Sequence, residues 1–160
     1  FFPDREILEK YSLIKKEYII VRFSALKAHH DIKARGISIN LWKKIEGLLE
    51  GFKIVKSIEA SNNHEIDPWD MHHVLAFSRM LISDSQTMTI EAAVLGVPSI
   101  RINSFVGRCS VIEELENKYK LTMGFKPEDE ESAINEIKNV LINKNSENEW
   151  KKRKNIPFPI

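Results

Sequence analysis

Short runs of β-branched and aromatic residues alternate with amphipathic stretches along most of this chain. Tyr18-Ile19-Ile20-Val21-Arg22-Phe23 is a near-continuous apolar run of the kind found in a strand buried on both faces. Phe52-Lys53-Ile54-Val55, Arg79-Met80-Leu81-Ile82-Ser83, Val97 to Ile102 and Leu121 to Phe125 repeat that character. Between them the apolar period changes to that of a helix. Leu41, Trp42, Ile45, Leu48 and Leu49 share one helical face, with Gly51 as a C-cap. Further helices are predicted from about Trp69 to Phe77, from Thr87 to Leu95 with Gly96 as its stop, and from Cys109 to Lys118. Pro127 opens another, which carries Ile134, Ile137, Val140 and Leu141 on one side. Asp4 ahead of Ile7, Leu8 and Tyr11 marks a short capped helix at the start. The chain from Asn143 onward reads as a polar tail.

Such alternation predicts an α/β domain: a Rossmann-like parallel sheet with helices on both faces, joined by right-handed crossovers. In such a sheet ligands sit outside the carboxyl ends of the strands, at the switch point of strand order. The organisation read from this is a linker and short helix over 1–17, a Rossmann-like domain over 18–145, and a tail over 146–160.

Composition narrows the class. The 160 residues are 42% apolar and 29% charged, which suits a globular domain. With 24 Lys+Arg against 23 Asp+Glu, the net charge of +1 gives no electrostatic reason to expect nucleic acid or an anionic membrane as partner. No apolar run reaches the roughly 20 residues of a membrane span. Cys109 is the one cysteine, so no intrachain disulfide forms, and a reducing, cytoplasmic compartment fits. The start, Phe1-Phe2-Pro3-Asp4, shows no signal peptide and no initiator Met, and an upstream half is expected.

The chemistry concentrates in Leu81 to Pro98. A strand ends at Ser83, and the loop Asp84-Ser85-Gln86 turns directly into a helix. The free N–H groups of that first turn would face out of the sheet's carboxyl edge, a setting suited to a phosphate or diphosphate. Ser85 and Thr87 hydroxyls can add donors. Glu91, four residues after Thr87 and on the same face, can accept both hydroxyls of a ribose. The plainer alternative makes Ser85 or Thr87 a helix cap and Glu91 a charge favoured by the helix dipole.

Ser83-Asp84-Ser85-Gln86-Thr87-Met88-Thr89-Ile90-Glu91-Ala92-Ala93-Val94-Leu95-Gly96-Val97-Pro98 resembles the nucleotide-sugar loop of non-hydrolysing UDP-N-acetylglucosamine 2-epimerases. Those carry Asp-Ser-Gly-Gly, then Glu-Ala, then Leu-Gly-x-Pro. A closer likeness is to an uncharacterised prokaryotic family of epimerase-like proteins with the GT-B architecture. It rests on Arg22-Phe23 with His29-His30-Asp31, on Pro68-Trp69-Asp70-Met71-His72-His73, and on Asp84 to Ala93. The likeness spans roughly Phe2 to Phe125. It implies the C-terminal half of a GT-B-like glycosyltransferase or epimerase in surface polysaccharide or glycoconjugate synthesis. A nucleotide-sugar, most simply a UDP-sugar, would be the substrate, with no separate cofactor. Carried over by position, Ser85, Gln86 and Thr87 would contact the diphosphate and Glu91 the ribose. Arg22 and the loop to His30 would face the ligand. Gln86-Thr87 replaces the glycine pair of the epimerases, which removes backbone freedom at the diphosphate. The acid/base carboxylates of the epimerases belong to a partner N-terminal half, against which the tail with Trp150 and Phe158 is expected to dock.

Other candidates are weighed beside these. His29 or His30 can act as acid/base or bind phosphate. His72, Asn103 and Arg108 are possible ligand-facing residues, Asn103 and Arg108 because they follow a strand at the same edge. For Arg22 the alternative is a salt bridge to a helix acid. Adjacent His pairs lack the i, i+4 spacing of a helical metal site, so no metal is expected. Two other functions stay open: a nucleotide-binding module without chemistry, and a metal-dependent hydrolase using the His pairs.

Overall fold

A computed structural model describes residues 2–23, 37–58, 65–103 and 110–155, Ser110 by its backbone alone. His29, His30, Asp31, Arg108, Cys109 and Phe158, all considered above, lie outside the described residues. The described elements run α1 (Ile7–Lys10), β1 (Tyr18–Phe23), α2 (Ile39–Leu48), β2 (Lys53–Ile58), α3 (Met71–Ala76), β3 (Leu81–Ser83), α4 (Gln86–Leu95), β4 (Ser99–Ile102), α5 (Ser110–Asn117), β5 (Thr122–Phe125), α6 (Glu130–Ile142) and α7 (Ser146–Lys154). A 3₁₀ turn, Pro127–Asp129, leads into α6.

Five strands pair in parallel in the order β2-β1-β3-β4-β5. Crossovers run one way from β1 to β2 and the other way from β3 onward, so the switch point lies between β1 and β3. The apolar run of β1 is explained by its place: Tyr18, Ile19, Ile20 and Val21 are fully buried, with helices over both faces. Ile19, Val21 and Ile82 pack with Leu41 and Ile45 of α2 and with Ile137 and Val140 of α6. Tyr18, Ile20 and Leu81 pack on the other face with Leu8, Val74, Leu75, Met88 and Ala92.

Local signals set the ends of α4 and the start of α2. Ser38 Oγ accepts from Leu41 N at 3.1 Å and starts α2. Gly96 takes φ 75 and closes α4 in a left-handed cap, where a side chain would be strained. At the start of the chain the cap differs from expectation. Glu6, not Asp4, precedes α1, and the Asp4 carboxylate accepts from Glu6 N at 2.9 Å.

The segment expected to be a polar tail is in part the helix α7. Trp150, expected to dock on a partner half, is 4% exposed within this domain's own core, and its Nε1 donates to Leu121 O at 2.8 Å. The reason is supplied from outside the segment. Arg79 donates to the carbonyls of Val140, Leu141 and Asn143 and to Ser146 Oγ, and so fixes the turn from α6 into α7.

Candidate functional site

The sheet register brings Ser57, Arg22, Ser83, Arg101 and Gly124 into one row across all five strands at their carboxyl ends. Arg22 and Ser83 are neighbours in that row, on the two strands that flank the switch point. Arg22 Nη1 donates to Ser57 Oγ. Its Nε is buried and has no hydrogen-bond partner, and among the described residues Arg22 pairs with no carboxylate. The salt bridge to a helix acid, one of the two readings of Arg22, is therefore not made among those residues.

From Ser83 the chain enters α4 through a tightly held loop. Ser85 N donates to Ser83 Oγ at 2.8 Å, and Asp84 N donates to Arg22 O at 3.3 Å. Asn103 Nδ2 donates to Asp84 O at 3.0 Å. Asn103 is 4% exposed and holds the loop through this bond. Ser85 is the N-cap residue, its Oγ accepting from Met88 N at 3.4 Å. Thr89 Oγ1 donates to Ser85 O at 2.7 Å. The amides of Gln86 and Thr87 donate to nothing among the described residues, as the first turn of a helix dictates. Asp84, Ser85 and Gln86 are half-buried and Thr87 is exposed, so the turn opens to solvent at the switch point.

Thr87, Glu91 and Val94 form the outer face of α4. The Glu91 side chain is 35% exposed, and His72 Nε2 of α3 lies 3.5 Å from its Oε2. Two residues singled out separately in the sequence are thus partners. Spacing within one helix gives no hint of that contact, because it joins two helices. His73, by contrast, accepts from Asp4 N through Nδ1 at 2.8 Å and ties α1 to α3. Among the described residues no group of three or more His, Cys, Asp or Glu is placed to hold a metal ion.

Arg101 is the residue that sequence reasoning missed. It is fully buried on β4, with Nη2 donating to Glu116 Oε1 at 3.1 Å and with Nε and Nη1 unpaired. Burial pushes the Glu116 carboxyl above its ordinary range, and the Arg101 charge offsets only part of that rise. A charged residue inside the strand Ser99-Ile100-Arg101-Ile102 was the available signal.

No family model matches the chain, and no curated protein matches it. Solved structures do match. A structure described as a UDP-N-acetylglucosamine 2-epimerase from Listeria monocytogenes superposes with TM-score 0.62 at 18% identity, over 95% of this chain and 43% of that one. A second UDP-N-acetylglucosamine 2-epimerase gives 0.54 at 15% identity, over 93% and 40%. The glycosyltransferase VinC, solved in complex with dTDP, gives 0.60 at 9% identity, over 91% and 39%. The chain therefore has the Rossmann-like α/β fold of the C-terminal half of the 2-epimerases and GT-B glycosyltransferases, as the sequence resemblance implies. It spans about two-fifths of their length. No described helix is long and apolar enough to cross a membrane.

Proposed function

We propose that this chain is the nucleotide-sugar-binding half of a GT-B-like glycosyltransferase or sugar-nucleotide 2-epimerase, with a UDP-sugar as its ligand. The observation that carries this reading is the pair of undonated amides, Gln86 and Thr87, at the start of α4 beside the switch point. A diphosphate seated there meets those amides and the Thr87 hydroxyl, with Arg22 on the neighbouring strand end. Ser85 Oγ already serves as the cap, so its part is to hold the turn. Glu91 stands in the second turn on the face of Thr87. His72 engages its Oε2, which leaves Oε1 for ribose hydroxyls.

Three of the fold neighbours support the choice of ligand by their own descriptions, two as UDP-N-acetylglucosamine 2-epimerases and one as a dTDP-bound transferase. The groups that would carry out the transfer or epimerisation belong, on this reading, to an N-terminal half that closes over the carboxyl edge of the sheet. His29, His30 and Arg108 are proposed at that edge from their places in the sequence after β1 and β4. The product would enter surface polysaccharide or glycoconjugate synthesis in the cytoplasm.

Calorimetric titration of UDP and UDP-N-acetylglucosamine into wild type and Glu91→Ala tests this directly. A lost hydrogen bond to a charged acceptor is worth about 1.5–3 kcal/mol, so Glu91→Ala should weaken UDP by about 10-fold or more. Pyrophosphate, which has no ribose, should bind both proteins alike. Equal UDP affinity removes the ribose role of Glu91. Absence of UDP binding by wild type overturns the whole reading.

A further inference from the structure

A cavity of about 160 Å³ lies at the opposite, amino-terminal edge of the sheet. It is walled by Phe77 at the end of α3 and Leu95 at the end of α4, with α7 across it. Four lysines line it: Lys15 and Lys16, just before β1, and Lys151 and Lys154 on α7. Among the described residues that line it, the one carboxylate is Glu147.

The charges do not balance. Glu147 Oε1 lies 3.0 Å from Lys15 Nζ and 3.1 Å from Lys151 Nζ, so that carboxylate is already shared by two cations. Lys16 Nζ donates to Ser78 O at 2.9 Å, which uses one of the three N–H donors of an ammonium. Lys154 has no hydrogen-bond or ion-pair partner among the described residues, and its Cβ and Cδ stack beside Gly96. Two ammonium groups thus remain for a ligand. Burial lowers Lys16 to about 8; Glu147 opposes this, while Lys15, Lys151 and Arg79 add to it. That destabilised cation is what an incoming anion would relieve.

We propose that this cavity is a second ligand site, which takes a phosphomonoester dianion between Lys16 and Lys154. Two charges on the ligand match the two lysines that Glu147 does not pair. Lysines act as point charges and suit phosphate without the planar fork that a carboxylate favours. At about 30 Å³ per water, the cavity holds roughly five waters' volume, enough for a phosphate and a short carbon stub against Phe77 and Leu95. The site is separate from the nucleotide edge and does not depend on the function proposed there.

The test is a titration of the full chain with inorganic phosphate, followed by amide chemical shifts at constant ionic strength. The amides of Lys16 and Gly96 should shift saturably, and chloride should not reproduce the effect. Lys154→Ala should weaken binding by about 10-fold, the loss of one charge-assisted hydrogen bond, and Lys154→Arg should retain it. Lys154 is exposed, so its replacement leaves the fold intact. Shifts confined to Gln86 and Thr87 would place phosphate at the α4 turn instead and overturn the proposal. So would unchanged affinity in Lys154→Ala, or an equal response to chloride.

Discussion

Arg101 sets the terms for its surroundings. A guanidinium on a central strand, fully buried and with Nε and Nη1 unpaired, depends on the single carboxylate of Glu116, itself 12% exposed. Gly124 stands opposite it in the register because a Cβ there would lie 3.0 Å from Arg101 Nη2 and against the Glu116 carboxylate. Removing one member of a buried pair strands the other, at a cost of about 3–5 kcal/mol. Glu116→Leu should therefore destabilise the chain by that order in urea unfolding. The double variant Arg101→Met/Glu116→Leu should recover most of the loss, since an apolar pair of similar volume no longer buries charge. If the double variant is as unstable as the single one, the pair contributes net stability beyond mutual neutralisation.

Elements differ in how openly the sequence declares them, and α4 and α7 mark the extremes. Ser85 before α4 and Gly96 after it are local chemical signals, and the observed helix begins one residue before the expected Thr87. In α7 the sequence Ser146 to Lys154 has one large apolar residue, so no period can be read from it. What holds α7 arrives from elsewhere in the chain. Arg79 grips the turn before it, Leu121 O takes the Trp150 indole N–H, and Arg153 stacks 4.2 Å over that ring. The same division runs through the candidate site. The place of Ser85, Gln86, Thr87 and Glu91 at a strand–loop–helix junction was legible because they follow one another along the chain. The pairing of His72 with Glu91 and the burial of Asn103 under Asp84 were not, because each is made between elements. Trp150→Ala should cost about 3–5 kcal/mol by urea titration, the range for deleting a buried aromatic. Trp150→Phe keeps an aromatic ring in place and loses the bond to Leu121 O, so its cost should be nearer 1 kcal/mol. Equal costs for the two would assign the stabilisation to the hydrogen bond.

At the scale of the molecule, a net charge of +1 conceals positive character gathered at both edges of the sheet. The carboxyl edge offers helix amides and Arg22, while the amino edge gathers lysines around Glu147. Glu147 joins the segment before β1 to α7 at that edge. Burial pushes its carboxyl up, but hydrogen bonds from Lys15 and Lys151 and the charge of Lys16 outweigh that and bring it down to about 2. The sign of the consequence follows from linkage. A carboxyl that binds its proton less readily when folded stabilises the native chain above its ordinary range near 4.5. That contribution is lost as pH falls toward 2. Glu147→Gln should accordingly lower Tm at pH 7, and the gap between variant and wild type should close through the acid range. Lys16 works in the opposite window. Its lowered value means that the native chain holds fewer protons than the unfolded one between about 8 and 10.5, so stability contributed there rises with pH. Glu147→Gln removes the carboxylate that supports the Lys16 charge, so it should also start that rise at a lower pH. A Tm gap that stays constant from pH 7 to pH 2 would show that Glu147 acts through packing and not through its charge.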